Sequence, residues 1–415
     1  MGTVFDQNAA NTISKELYTE KDIETLCFSS PLVGRAPKYT DGGGLQYVGA
    51  INNALSTSNS SQDTIAFTAG SPSALQRWQC PWKQYFASAN LSGMAVDMTR
   101  KESGAMVTAI KLEMDNGYKA IGSALGRMIY GNGGGAIGQG STLSTTAGSA
   151  NTNDTLTLLN TSQAINFQVG QIINSSSTNG LTGTVRAGAV TLISVDLDAG
   201  ILQANQTWTM GITGFSASDY LFNQGDFNGY FPGMAGWFPN GSNRPTSTDS
   251  FNGVNRFSDP VRLAGVYYTG SGAPIEESLV AAGVKTRKFG GKPKDAFLNP
   301  LDFASCLKGM GGRVQYTTEY AFNNAQIGFD AVKVSTGAGQ ITLYEDAYVA
   351  SGQAYLLDLD SIVIPSMGPM PKNLSEEMTG LIWIPQTTSN TFIAQMGFRA
   401  TSYVSAPSNN CSVLW

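Results

Sequence analysis

Histidine is absent from the 415-residue chain. That removes the commonest general base and the commonest transition-metal ligand together. Ser-His-Asp and Cys-His catalysis and the His-containing zinc sites are therefore excluded. Cysteine is scarce: Cys27, Cys80, Cys306 and Cys411 lie far apart, with no C-x-x-C and no zinc or iron–sulfur spacing. They read as buried or incidental thiols in a reducing compartment. Charge is thin, with Asp, Glu, Lys and Arg at 13% against about 25% in ordinary domains. The balance is acidic, 25 basic against 30 acidic residues for a net −5, which argues against a protein built mainly to neutralise phosphates. No apolar run approaches the roughly 18 residues of a membrane span. The opening "MGTVFDQNAANTISKEL" lacks the basic and apolar regions of a signal peptide, and Asp6 breaks the myristoylation pattern. The expectation is a chain made and kept in a cytoplasm, soluble or self-assembling, with no membrane partner.

What is present points to strands and turns. Glycine stands at 48 residues and hydrophobic residues at 41%, too apolar for disorder and suited to a loop-rich, β-rich protein that packs against neighbours. Residues 1–38 hold one weak amphipathic stripe, Ile13, Leu17, Ile23 and Leu26, before a Pro/Gly connector. This reads as an arm that needs a partner surface. Residues 45–96 alternate extended runs with turn signals, predicting a long two-stranded excursion with a polar tip. Such a ribbon is marginal alone. Trp78, Trp82, Tyr85 and Phe86 crowd its base and read as packing groups, within or between subunits.

"TRKE" at 99–102 is a capping box, Thr99 with Glu102. Met106, Ile110, Met114, Ile121, Leu125 and Met128 follow at helical spacing, predicting a helix to about residue 130. From 139 to 213 the composition turns to Ser, Thr, Asn and Gly, with alternating patches "TLTL", "SVDLD" and "TWTM". These predict a small inserted β-module of four to six strands. Residues 214–324 read as mixed α/β, with helices in "IEESLVAAGV" and "NPLDFASCLKGM", and strands dominate from 327 onward.

Three features invite a chemical reading. "GGGAIG" at 133–138 satisfies the glycine pattern of dinucleotide sites, but that site needs a strand before it and a helix after it. Here a helix precedes, so Gly131 is expected as its left-handed stop, with Arg127 in the last turn complementing the dipole. Asp196/Asp198 and Asp358/Asp360 are i,i+2 pairs, expected on strand faces in solvent; Thr207 stands where an EF-hand would need its bidentate Glu. "KTRKFGGKPK" (285–294) is the one basic cluster, read as a solvated loop or a contact for an acidic neighbour. No catalytic, cofactor-binding or metal-binding residue is assigned, and no cofactor is expected.

The order of parts resembles the major capsid proteins of tailed double-stranded-DNA bacteriophages, with the Hong Kong 97-type fold. "PWKQYFASANLSGMAVDMTRKESGAMVTAIKLEMDNGYKAIGSALGRMIYGNG" looks like an extended loop running into the spine helix. "DAFLNPLDFASCLKG" looks like the strand–turn–helix of the axial domain, and "GFDAVKVSTGAGQITLYEDAYVASGQAYLLDLDSIVI" like the strands leaving and re-entering it. "FRATSYVSAPSNNCSVLW" is similar to a closing peripheral strand. The resemblance implies an α+β fold: N-terminal arm 1–38, extended β-loop 39–98, spine helix and start of the peripheral domain 99–138, inserted β-module 139–213, axial domain 214–324, and shared strands 325–415. It implies a virion shell subunit that forms hexamers and pentamers around packaged double-stranded DNA. The implied partners are a scaffolding protein and a portal, with a decoration protein as a further candidate, and the implied assembly is in the host bacterial cytoplasm. Arg77, Lys83, Arg100, Lys101 and Glu102 near the loop base are the candidate intersubunit ion-pair residues. The rival reading is a virion decoration or adhesion protein that binds a glycan or partner through the β-module. An oxidoreductase or hydrolase survives only through the glycine and acidic patterns.

Overall fold

In a computed structural model, residues 30–54, 61–64, 73–94, 103–144, 154–310, 332–336, 339–379, 383–386 and 389–415 are described. The helical stripe of the arm, Cys27, the capping box and most of the polar tip lie outside them.

The predicted long helix is present as Ser103–Tyr130. Ile121, Ala124, Leu125, Met128 and Ile129 recur at helical spacing and are buried. Two of its glycines allow close packing. A Cβ on Gly126 would stand 2.5 Å from the Tyr348 ring, and one on Gly117 would meet the flexible end of Met396 at 2.2 Å. Gly122 faces open space. Gly122→Ala is therefore expected to stabilise the subunit by roughly 0.5–1 kcal/mol, and Gly126→Ala to destabilise it; paired urea midpoints check both.

The helix lies against a sheet in which Lys83–Ser92 pairs antiparallel with Thr391–Ala400 over ten residues, from Lys83↔Ala400 to Ser92↔Thr391. The region 45–96 is thus not a single two-stranded excursion. Gln46–Ala54 and Ala74–Pro81 form the ribbon, and the next strand turns into the body.

A six-stranded mixed sheet runs in the order Val266–Thr269, Cys411–Leu414, Gln353–Leu357, Asp295–Leu298, Gly339–Glu345, Val332–Thr336. Its side chains alternate between two cores, as a pleat requires. Phe297, Tyr355 and Leu357 join Tyr130 and Ile129 in the main core. Ala296, Leu298, Ala354, Leu356 and Val413 face Leu279, Ala282, Phe303 and Cys306 of the helices Ile275–Lys288 and Pro300–Met310. The two sequence-predicted helices of this region are both present. The C-terminal segment divides its service: Phe398–Ala400 end the strand beside the long helix, whereas Cys411–Leu414 sit inside the six-stranded sheet between Val266–Thr269 and Gln353–Leu357. A single closing peripheral strand is the wrong description of it.

The inserted module is a closed six-stranded barrel in the order Tyr220–Asn223, Ala136–Ser144, Thr155–Leu158, Ile201–Ala204, Val190–Asp196, Ile172–Ser176. Closure removes free edges. The module reaches past the expected 139–213 at both ends, because its first and last strands, Ala136–Ser144 and Tyr220–Asn223, pair with each other to shut it. "TWTM" is not a strand. Trp208–Gly211 is a short helix that plugs the barrel with Trp208, fully buried and stacked on Phe215 at 5.1 Å. Burial of a large aromatic overrides an alternation only four residues long.

The chain enters the described body at Ser30, whose hydroxyl donates to Asp346. Tyr130 also donates to that carboxylate at 2.8 Å, and the Tyr348 N–H donates at 3.1 Å. Burial pushes the Asp346 carboxyl up, against the pull of these hydrogen bonds. A raised carboxyl contributes stability that is full below the unfolded pKa of about 3.9 and is lost as pH rises through the folded value. The advantage of wild type over Asp346→Asn should accordingly be largest near pH 4 and shrink towards neutrality, read from urea midpoints across that window.

Candidate assembly surface

The ribbon is one-sided. Gly49 pairs with Trp78 and Ala50 with Arg77 across its two strands. On the inner face Trp78 and Cys80 are fully buried, and Ile51 is nearly so. Trp78 packs edge-on against Trp237 at 5.1 Å and Phe251 at 6.2 Å, and Trp237 meets Tyr403 at 6.3 Å. The Trp237 indole N–H donates to Ser402 Oγ at 2.8 Å. Gly49 has no room for a side chain, since its Cβ would enter the Tyr403 ring at 2.1 Å. The crowded aromatics therefore pack within the subunit: Tyr85 also stacks on Phe398, and Trp82 meets Tyr47 edge-on. Phe86 is the exception, 48% exposed.

The outer face is unlike the inner. Val48 is 48% exposed and Leu75 73%, with Leu45 at 91% just before the first strand. Arg77 is exposed between them and makes no ion pair among the described residues. A two-stranded ribbon with large apolar groups on its free face is a surface in want of a cover.

Lys83 is placed otherwise. Its Nζ donates to the Asn228 carbonyl at 2.7 Å, and burial pulls its pKa down. It links the body strand to a loop of the same chain. Arg100, Lys101 and Glu102 lie outside the described residues. Of the five candidates, only Arg77 stands described and free on the surface.

Behind Lys83 sits a polar cluster that sequence alone did not single out. Tyr230 donates to Asp226 at 2.9 Å and Asn223 donates at 3.2 Å. Burial pushes the Asp226 carboxyl up while these bonds oppose it. Arg127 does not stop at the helix dipole: its Nη1 reaches Ser123 Oγ at 3.4 Å and the Asn166 carbonyl at 3.3 Å, joining the helix to the barrel. The signal was one Arg in a last turn, which could not reveal that destination. Beside it a cleft of about 700 Å³ separates barrel, helix end and six-stranded sheet, its mixed lining including the amides of Asn132, Gln139, Asn160 and Asn240.

The remaining motifs resolve into structure. The helix stops at Tyr130 as expected, but Gly131 is not the left-handed residue; positive φ falls at Gly133 (96°) and Gly135 (87°). Gly131 instead closes the last turn, its N–H bonded to the Arg127 and Met128 carbonyls at 3.1 Å each. A strand, not a helix, follows the glycines. Neither acidic pair spans a strand face. Asp196 ends its strand and accepts from the N–H groups of Asp198 and Ala199 at 3.0 Å in a hairpin turn. Asp360 pairs with Lys294, and Asp358 lies 4.0 Å from the same ammonium. The basic cluster is divided in turn, its first part being the last helical turn, with Lys285 donating to the Tyr267 carbonyl at 2.6 Å. Among the described residues no cluster of three potential metal ligands occurs, and no helix is long and apolar enough to cross a membrane. Cys80, Cys306 and Cys411 are free and buried, and burial lifts their thiols to about 12, 11 and 12.

Comparison with solved structures shows the fold. The chain of the Cyanophage A-1(L) capsid asymmetric unit aligns with a TM-score of 0.54 at 10% identity, over 97% of this chain and 98% of that one. The capsid of the native GTA particle aligns at 0.49 and 7% identity, covering 96% and 95%. The capsid of Myoviridae phage XM1 aligns at 0.43 and 7%, covering 100% and 99%. No protein-family model matches the sequence, and no curated protein matches it. The architecture is α+β of the Hong Kong 97 capsid type, as expected from the order of parts.

Proposed function

We propose that this chain is the structural subunit of an icosahedral tailed-phage capsid. It self-assembles into hexamers and pentamers and encloses packaged double-stranded DNA, with no enzymatic step of its own. The observation that carries the reading is the ribbon: anchored by Trp78 on one face, apolar and uncovered on the other. The whole-chain likeness in fold to a cyanophage capsid chain supports it. The arm before Ser30 and the ribbon of Gln46–Ala54 and Ala74–Pro81 bridge neighbours, and the helix Ser103–Tyr130 stiffens the tile. The barrel, from Ala136 to Asn223, is an insertion; the chain from there to about residue 324 forms the axial domain, and 325–415 is shared between the axial and peripheral parts. A scaffolding protein and a portal assist assembly in the host bacterial cytoplasm, a decoration protein is a further candidate partner, and the product is the virion shell. The decoration or adhesion reading has no specific observation in its favour.

Arg77, Arg100, Lys101 and Glu102 serve as intersubunit ion-pair residues, and Lys83 braces the loop base from within. Arg77→Glu is expected to cut shell yield while moving the subunit's thermal midpoint by no more than about 1–2 °C, as an exposed residue should. Sedimentation of assembly reactions beside thermal scans of the subunit separates the two effects; an unchanged shell yield removes Arg77 from the contact set.

A further inference from the structure

Two arginines show how this chain neutralises a guanidinium. Arg186 forks Asp219 through Nε and Nη2 at 2.6 and 3.0 Å, and Arg256 forks Asp249 through the same atoms at 2.9 and 3.1 Å. Arg127 is held differently. Among the described residues its Nε is buried without a hydrogen-bond partner, and no carboxylate lies within ion-pair distance. Its partners are neutral: Ser123 Oγ and the Asn166 carbonyl at 3.4 and 3.3 Å, with the Tyr85 and Tyr230 hydroxyls beside it. Both measured bonds are longer than the usual range of roughly 2.7–3.2 Å. Asp226 is near enough to act on the guanidinium, but its Oδ2 already accepts from Tyr230 and Asn223, and burial pushes its carboxyl up towards the uncharged form. A cation held by long, neutral bonds recovers only part of its desolvation cost.

Arg127 also opens onto space. It lines both the 700 Å³ cleft and a second pocket of about 320 Å³, which is at the small end of ligand sites. Three elements wall the second pocket: Ser123 and Arg127 from the long helix, Tyr85 from the strand Lys83–Ser92, and Gln168, Gln171 and Asn223 from the barrel. Among the described residues no Asp or Glu lines it. The larger cleft, by contrast, includes Asp249 and the helix end at Tyr130 and Gly131, where the dipole repels an anion. The smaller pocket meets the helix from Ala120 to Arg127, back from that end. Its mouth is accessible, because Gln168, Val169 and Gly170 are exposed.

We infer that this smaller pocket binds a small monocarboxylate, whose carboxylate pairs with the Arg127 guanidinium and whose polar remainder meets the barrel amides. The charge count selects the ligand. One guanidinium with Asp226 close by suits a single negative charge, whereas a phosphate dianion would bury charge unpaired. Planar guanidinium and planar carboxylate also match in shape. The bound group bridges the long helix, the body strand and the barrel, and so ties the inserted module to the body. The inference goes beyond the shell reading and stands without it.

The test is saturation-transfer NMR on the unassembled, full-length subunit, titrated with acetate, with lactate, and with inorganic phosphate, at an ionic strength fixed with chloride. So small a ligand is expected to bind in about the millimolar range. Acetate should saturate, lactate should bind more tightly through its hydroxyl, and phosphate should not compete. Arg127→Gln should weaken acetate at least about tenfold. Circular dichroism shows whether that variant is folded. Two further substitutions decide the matter if it is not, since they leave Arg127 in place and have opposite signs. Gln168→Glu puts a like charge at the mouth and should weaken acetate by about threefold or more, whereas Asp226→Asn removes a neighbouring charge and should tighten it about threefold. Acetate that never saturates overturns the inference. So does binding that neither of these two substitutions moves, or phosphate that binds as tightly as acetate, which would make the site a general anion contact.

Discussion

Trp78→Ala lowers the stability of the isolated subunit by about 3–5 kcal/mol, the cost of emptying a fully buried aromatic site, and frees the ribbon root. The indole is fully buried between Trp237 and Phe251, so its removal leaves a void at the junction where the ribbon, the loop near 251 and the strand region around Tyr403 meet. Among the described residues the ribbon's other anchors include the Gln79 N–H bond to the Asn252 carbonyl at 2.8 Å, the Tyr47–Tyr403 contact at 5.2 Å and buried Cys80. Rapid proteolysis between residues 46 and 81, with a lowered denaturant midpoint, is the expected signature. Trp78→Phe is the control. Among the described residues the Trp78 indole N–H is buried without a partner, so Phe gives up volume but no hydrogen bond and should cost well under half as much. Equal damage from Phe and Ala would mean that the indole edge, and not the filled volume, holds the ribbon.

The second large effect falls on the glycines after the long helix. Gly135 sits at φ 87°, and a Cβ there would stand 2.0 Å from the Asp226 carbonyl. Gly134 is pressed against the Asn179 carbonyl, and Gly180 against the Gly134 carbonyl, each at 2.0 Å from an added Cβ. Here three chain segments, at 134–135, 179–180 and 226, meet backbone to backbone where the barrel joins the body. Gly135→Ala combines a strained left-handed φ, worth roughly 1–3 kcal/mol, with a clash that only backbone movement relieves. A soluble-yield loss and a large drop in thermal midpoint are expected. Gly131→Ala, at a site without positive φ and with its nearest contact at 3.3 Å, should change stability by less than about 1 kcal/mol. A calorimetric titration with NAD, NADP or ATP should give no heat. A reversed order of severity between the two substitutions would contradict the assignment of these residues to a chain crossing.

Much of the architecture was legible because long periodic signals survive context. The stripe from Met106 to Met128 spans several turns and marked the helix, whereas "TLTL" is only four residues long and is a strand because Leu156 and Leu158 are buried in the barrel. Short patterns failed where tertiary burial outweighed them. Trp208 turned "TWTM" into a helical plug, and the hydrogen bonds of a hairpin turn took Asp196 and Asp198 off a strand face. The end of the module was misjudged because barrel closure is a long-range event. Nothing local in Tyr220–Asn223 says that it pairs with Ala136–Ser144. The surface was less legible than the fold. Arg77 and Lys83 look alike in sequence, yet one is free on the ribbon and the other is spent on the Asn228 carbonyl.

The central claim is that the ribbon and its neighbours are surfaces for copies of the same chain. Electron microscopy of the purified subunit, overexpressed with its scaffolding protein, tests it most directly. Closed shells of hexamers and pentamers, lost or malformed when Val48 and Leu75 are both changed to Asp, are the predicted result; a folded subunit that stays monomeric at every concentration, with scaffold present, would contradict it.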